Sequence, residues 1–436
     1  MKYLLLTDRL ADSMAQKEKW LYYLVAVFLL SFYLPEMPVV NNVFIGIIFI
    51  HCLFYNSFSE KALLLRQRPA ILIMVFFYIL QLVSVFFSVD QARGFRLLEL
   101  RIPLLMFPLS FGLIIVTDQL KHRIMLLYAF VTTLAALACI VFAYSIYLKT
   151  GDSGFLYNDS LSEAIKKQSV YFAFMVNIAI FAYVYLLVKR TFLLQYKWWI
   201  FLNIAFLLVI HFMLASRMEI SFLYSSAVVF ALYYFIFYRK KVVAGIALVT
   251  GLILAAVLFV SLFPKTINRF NELRYSQFKF ESNSVESHYN MQLTPDQWNG
   301  FNIRLAIWNC GWEICKENPV FGVSIGDKDE ALLKKFKEKG FNFGIRTNKN
   351  MHSNYLDVFA SMGIIGLIVF IAGFLLLPFI KCVSYRDVWG ALVVIDLGLS
   401  FITETYFDRS MGCILVGFLV SFILSYKKPK QVAARI

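Results

Sequence analysis

Apolar runs of about 20 residues recur along this chain, each long enough to cross a bilayer core as a helix. Lipid offers the backbone no hydrogen-bond partners, so a spanning segment must be a helix or part of a closed barrel, and these runs are too long for barrel strands. The runs fall at roughly 20–35, 41–57, 70–88, 97–117, 124–148, 169–188, 198–215, 218–238, 242–262, 358–380, 387–403 and 409–426. The expected fold class is therefore an all-α polytopic membrane protein with about 12 transmembrane helices. Composition agrees: 60% of the 436 residues are hydrophobic and only 16% are charged, far from a soluble average. A formal net charge of +15 does not indicate nucleic acid in such a chain, because its meaning depends on the side of the bilayer that carries it. The first run continues from Trp20 to Leu34 with no small-residue cleavage pattern, so it reads as an uncleaved span.

The loops set the orientation. Alternate connections carry Lys2/Arg9/Lys17/Lys19, Lys61/Arg66/Arg68, Lys121/Arg123, Lys189/Arg190/Lys197, Arg239/Lys240/Lys241, Lys381/Arg386 and Lys427/Lys428/Lys430/Arg435. The opposing short connections hold fewer: Arg93/Arg96, Lys149/Lys166/Lys167, Arg217 and Arg409. Positive charge marks the cytoplasmic side, which puts both termini in the cytoplasm and the long polar segment outside. The expected organisation is 1–262 as transmembrane helices, 263–357 as a large outer loop with the chemistry-bearing motifs, and 358–436 as the last helices and a cytoplasmic tail.

The sequence contains no Walker-type loop, GxSxG elbow or HExxH motif, so nucleotide hydrolysis and the common zinc chemistries have no support. Of the cysteines, Cys52, Cys139, Cys382 and Cys413 sit in or beside apolar runs as small hydrophobes. Cys310 and Cys315 are five apart and face different sides of a helix, so a bridge would need that helix to break. No cysteine–histidine cluster has zinc spacing. No metal and no cofactor are expected.

What remains is a set of cations and one histidine beside the outer boundary. Arg217, in HFMLASRMEISFLY, either snorkels or pairs with Glu219, or else clamps an anionic headgroup with its guanidinium fork. Arg304, Trp308 and Trp312 recur every four residues and share a helix face. Arg304 is either a solvated surface arginine or a second phosphate contact, and the tryptophans are either interfacial anchors or a sugar-stacking wall. His352 lies just before an apolar run; it is either structural or a base for a sugar hydroxyl, for which its ordinary titration range suits it. Asn354 and Tyr355 follow it, and Gly363 and Gly366 allow the next helix to pack closely. Arg93, Arg96 and Arg101 are further phosphate candidates, and Glu313, Asp327 and Asp357 are alternative bases. Glu330 to Lys339 reads as an amphipathic helix whose lysines face solvent or headgroups.

Three islands carry a resemblance: LASR (Leu214 to Arg217), IRLAIWNCGWEICKENPVFGVSIGD (Ile303 to Asp327) and HSNYLDVFASMGIIG (His352 to Gly366). In this order they resemble the signature of the O-antigen ligase superfamily, which includes O-antigen polymerases and protein O-oligosaccharyltransferases. That signature is an outward arginine after serine, then Arg-x-x-x-Trp with a later Pro and Gly, then His-Asn/Ser-x-Tyr/Leu with a trailing Gly-x-x-Gly. Here Ser353 replaces the commoner asparagine, and Asn354 stands one place later. The resemblance implies a GT-C-like membrane fold and a metal-independent, inverting glycosyltransferase of the bacterial inner membrane. Its donor would be an undecaprenyl-diphosphate-linked glycan and its acceptor the lipid A-core at the periplasmic face. Arg217 and Arg304 would hold the diphosphate and His352 would activate the acceptor hydroxyl, with Trp308, Trp312, Asn354 and Tyr355 as further substrate contacts. A polymerase using the same donor, a protein-glycosylating relative and a non-enzymatic transporter are the alternatives.

Overall fold

The computed structural model describes residues 15–35, 37–189, 197–287, 294 and 297–427. The charges at Lys2, Arg9, Arg190, Lys428, Lys430 and Arg435 that enter the topology argument lie outside these residues, as does His288. Regular structure among the described residues is helical, with two isolated β-bridges, Val116 to Tyr426 and Glu286 to Trp298.

The expected count of about twelve spans is wrong. Among the described residues, six helices have the length and apolar character to cross a bilayer: Pro69–Phe86, Asp118–Thr150, Ser169–Val188, Lys197–Leu214, Arg217–Phe237 and Asn354–Tyr385. Val39–Leu53 and Phe58–Arg66, bent by 108°, make a seventh if the pair counts as one. Four of the remaining runs fall short for local reasons. The first belongs to Gln16–Tyr33, which opens on Lys17, Glu18 and Lys19. The run at 97–117 breaks between Gln91–Leu100 and Pro103–Gly112, where Pro103 lacks an amide donor and opens the second helix. Val388–Thr403 and Ser410–Ser425 have 16 residues each, about 24 Å at 1.5 Å per residue, against a core of about 30 Å.

Seven helices position the site: α1 (Ser169–Val188), α2 (Arg217–Ala231), α3 (Asn302–Glu317), α4 (Lys328–Glu338), α5 (Asn354–Ile371), α6 (Val388–Thr403) and α7 (Ser410–Ser425). The N-termini of α1, α2 and α5 and the C-terminus of α6 gather at one end of the bundle. Arg68, Lys121 and Lys381 gather at the other: Arg68 donates to the carbonyls of Phe111, Gly112, Ile114 and Ser425, Lys381 donates to that of Leu424, and Lys121 pairs with Asp387.

The outer segment has its own apolar core, built on Trp298, Ile303, Ile307, Cys310, Ile314 and Phe336. Cys310 and Cys315 are both buried as free thiols. The α4 lysines are not simply solvated, because Lys335 bonds Glu317 at 2.6 Å and Lys339 bonds Glu313 at 2.7 Å, which ties α4 to α3.

Two features clamp this segment to the membrane helices. The turn after α3 lies against a kink in α5, with Val323 N donating to Ala360 O (2.8 Å) and Ile364 N to Pro319 O (2.9 Å). Gly363 makes the kink with φ 64° and ψ −166°, and a Cβ there would overlap the Val320 carbonyl. Glycine adopts that backbone without steric cost. The second clamp is a buried set of two cations and two carboxylates. Lys328 bonds Asp357 and Asp408, and Arg101 bonds Asp408 at 3.0 Å and Gln81 at 2.8 Å.

Candidate active site

Arg217 is the first residue of α2 and follows Ala215, whose φ is +53°. The turn directs its guanidinium towards the outer segment, where Nη1 donates to Arg269 O (2.9 Å) and meets Glu272 Oε2 (3.2 Å). Arg269 Nη1 meets the other oxygen of Glu272 at 3.1 Å, so one buried carboxylate holds two guanidiniums apart. Arg269 Nε is buried with no hydrogen-bond partner.

Arg304 enters from the first turn of α3. Its Nε donates to Thr403 O (3.1 Å), Nη1 to Gly300 O (2.6 Å) and Nη2 to Glu404 Oε1 (2.5 Å). A guanidinium has five N–H donors, so two remain for a ligand. Gly300 lies between the arginines: a Cβ there would sit 3.4 Å from both Arg217 Nη2 and Arg269 Nη1. Arg217, Arg269 and Arg304, with Trp308, Phe301, Ser169, Thr403 and Glu404, line a cleft of about 230 Å³. Three cations against the carboxylates of Glu272 and Glu404 leave it net positive, which suits a phosphate or diphosphate.

His352 is joined to this cleft through Glu404. The Oε2 of Glu404 lies 3.7 Å from His352 Nδ1 while its Oε1 holds Arg304. Burial pushes the Glu404 carboxyl up, but Arg304 and the His352 contact outweigh it and bring it down to about 2, so it is a carboxylate at neutral pH. His352 has a left-handed φ of +44°, costly for a residue with a Cβ, and three contacts hold it there. Trp308 Nε1 donates to its carbonyl at 3.4 Å, its amide donates to Asn350 Oδ1 at 3.2 Å, and Ser353 next to it caps α5.

The other expected contacts are placed differently. Trp312 is half-exposed and packs edge-on against Phe359 at 6.0 Å, away from the cleft. Asn354 is buried and accepts from Phe407 N at 3.1 Å, and Tyr355 donates to Gly398 O at 2.8 Å among Phe370 and Phe401. Arg101 is fully buried in the four-charge clamp and Arg93 pairs with Asp329, so neither lines the cleft. Of the alternative bases, Glu313 pairs with Lys339, Asp327 accepts the Val89 and Asp90 amides (2.8 and 2.9 Å), and Asp357 sits in the clamp. Glu404, Arg269 and Glu272 were not singled out in the sequence, because none has a neighbour along the chain that marks it. Among the described residues no group of three or more His, Cys, Asp or Glu side chains is arranged to hold a metal.

A model of the O-antigen ligase family matches residues 202–371. That stretch contains Arg217, Arg269, Arg304 and His352 and ends before Glu404. Comparison with curated proteins gives no match.

Proposed function

We propose that the chain, whose residues 202–371 match the O-antigen ligase family, is a member of that superfamily and transfers a glycan from undecaprenyl diphosphate to an acceptor hydroxyl, that of lipid A-core, at the periplasmic face. The observation that carries this reading is the Glu404 bridge. One oxygen of the carboxylate holds the Arg304 guanidinium at 2.5 Å and the other lies 3.7 Å from the His352 imidazole, which brings the guanidinium and the imidazole to one group.

In the reaction the acceptor oxygen attacks the anomeric carbon of the donor glycan while its proton passes to His352. The anomeric carbon–oxygen bond breaks, and its electron pair leaves with undecaprenyl diphosphate. Arg217, Arg269 and Arg304 meet the charge that develops on the leaving group, and being fixed beforehand they need little rearrangement. Attack from the face opposite the leaving group inverts the anomeric centre. Glu404 acts as a positioning residue that orients the imidazole and holds Arg304. Trp308 forms an apolar wall beside the donor, while Trp312 serves as an interfacial anchor and Asn354 and Tyr355 fix the start of α5.

The protein is a multi-pass membrane protein with several long apolar helices. Arg68, Lys121 and Lys381 gather at the end of the bundle opposite the arginine cleft, and because positive charge marks the cytoplasmic side this supports 263–357 as the outer, periplasmic segment.

The test is a deletion strain complemented with the wild-type chain or with His352→Ala. The expected outcome is that wild type restores long polymer on lipid A-core, whereas the variant, inserted at equal level, leaves the polymer on its carrier. Transfer by the variant at the wild-type rate would overturn the base assignment. A core bearing a single repeat in the deletion strain would make the chain a polymerase instead.

A further inference from the structure

At the end of the bundle opposite the arginine cleft, a cavity of about 270 Å³ opens between the start of Pro69–Phe86, the helix Leu377–Tyr385 and the end of α7. Arg68, Lys381 and Lys427 line it, and no carboxylate does. Arg68 is only 8% exposed, and its partners are all backbone carbonyls: Phe111 O (3.0 Å), Gly112 O (2.9 Å), Ile114 O (2.6 Å) and Ser425 O (3.2 Å). Lys381 Nζ donates to Leu424 O, the carbonyl just before that of Ser425, so the two cationic heads converge on the last turn of α7. Lys427 stands exposed at the mouth. The carboxylates at this end of the bundle are engaged elsewhere, since Asp387 holds Lys121 at 2.6 Å and Asp118 accepts from Tyr426 Oη at 2.5 Å.

Holding carbonyls does not balance these charges. The carbonyls belong mainly to the ends of Pro103–Gly112 and α7, and a helix C-terminus carries roughly half a negative charge. Two such ends offset about one of the two positive charges beside them. Charged side chains inside a membrane bundle are ordinarily paired, and an arginine, unlike a lysine, cannot shed its proton to escape the cost. Donors are left over as well. Arg68 Nε makes no bond among the described residues, and Lys381 spends one of its N–H groups on Leu424 while an ammonium has three.

The opposite wall shows which anion fits. Leu64, Leu377 and Ile380 form it, and Ile380, half-exposed, carries it out to the flank of the bundle. A free phosphate has no use for an apolar wall, whereas a phospholipid presents its phosphate and then its hydrocarbon in that order. The cavity is far too small for acyl chains, which belong along the flank. Lys427 at the mouth disfavours a headgroup that carries its own ammonium. We propose that this cavity binds the headgroup of an anionic phospholipid, with its phosphate between Arg68 and Lys381 and its chains running out past Ile380. The orientation proposed above puts that lipid in the cytoplasmic leaflet, where basic pockets between membrane helices meet anionic headgroups.

The test uses the full chain, delipidated in detergent and titrated with phosphatidylglycerol, phosphatidylcholine or inorganic phosphate at constant ionic strength. Phosphatidylglycerol should raise the thermal unfolding midpoint by a few degrees in a saturable way, with phosphatidylcholine and phosphate giving much less. Native mass spectrometry of the wild-type chain in an equal mixture of the two lipids should show phosphatidylglycerol retained in preference, a reading that needs no variant to fold. Lys381→Gln combined with Lys427→Gln should lose both effects. Lys240→Gln combined with Lys241→Gln, which removes two exposed lysines outside the cavity, should keep them. Equal retention of the two lipids would overturn the proposal, as would equal loss in the two double variants, which would mean surface charge alone. A rise fully reproduced by inorganic phosphate would overturn the lipid as its source. None of these readings depends on glycan transfer, so they stand or fall separately from the proposed reaction.

Discussion

Replacing Glu404 by Gln removes one charge while keeping the side chain's size and shape, so it isolates what the bridge contributes. Burial alone would raise the Glu404 carboxyl above its ordinary 4.5, yet it ends near 2 because Arg304 and His352 favour its charged form more strongly. That difference corresponds to about 3 kcal/mol of native-state stabilisation at neutral pH. The carboxyl is depressed on folding, so its contribution is fully present above about pH 4.5 and is lost as pH falls towards 2. The stability gap between wild type and Glu404→Gln should therefore narrow on acidification below about pH 4.5, as read by thermal unfolding across pH.

The kinetic consequence is separate. Arg304 would lose a charge-assisted bond at 2.5 Å, a contact of about 1.5–3 kcal/mol, and His352 would lose its orienting partner. If the transition state feels most of this, kcat falls about 100-fold, since each 1.36 kcal/mol is tenfold. KM for the undecaprenyl-diphosphate donor should change little, because Arg217 and Arg269 keep their own carboxylate in Glu272. Glu404→Asp, which restores the charge one methylene short, should recover part of the rate. A well-folded Glu404→Gln protein with kcat within about twofold of wild type would refute the claim that the bridge positions the catalytic groups.

Three further outcomes follow from the same contacts. Arg269→Ala should raise the donor KM more than it lowers kcat in a two-substrate transfer assay, because it removes a cation from the cleft but leaves His352, Glu404 and Arg304 in place. Gly363→Ala should destabilise the protein by about 3 kcal/mol or more, read as a lower unfolding midpoint or lost yield, since the new Cβ meets the Val320 carbonyl. Arg101→Leu should cost about 3–5 kcal/mol by leaving buried carboxylates undercompensated, whereas Arg93→Ala, whose pair with Asp329 is half in solvent, should stay within about 1 kcal/mol.

The sequence made helical membrane character and three motif islands legible, and it lost information where helix phase or chain breaks decide the outcome. Apolar runs locate lipid-compatible stretches, but hydropathy alone does not reveal that the run at 97–117 breaks before Pro103 or that α6 and α7 stop at 16 residues. Span number was therefore overcounted. Phase explains the tryptophans: four residues turn a helix by about 400°, so each step drifts by about 40°. Trp308 stays with Arg304 in the cleft, and Trp312 has rotated out of it. Phase also explains why Glu219 is not the partner of Arg217, since residues two apart on a helix project to different sides. Arg217 reaches outward to Glu272, and Glu219 turns inward to Asn177 and Asp396. The same turn of α2 thus supplies a cation to the cleft and a carboxylate to the membrane interior. Glu404 had no local signal at all, standing 52 residues beyond His352 in an ordinary polar turn. It reaches the site because α5 starts and α6 ends at the same face of the bundle, so the partner of the candidate base is set by the antiparallel return of the chain rather than by any motif.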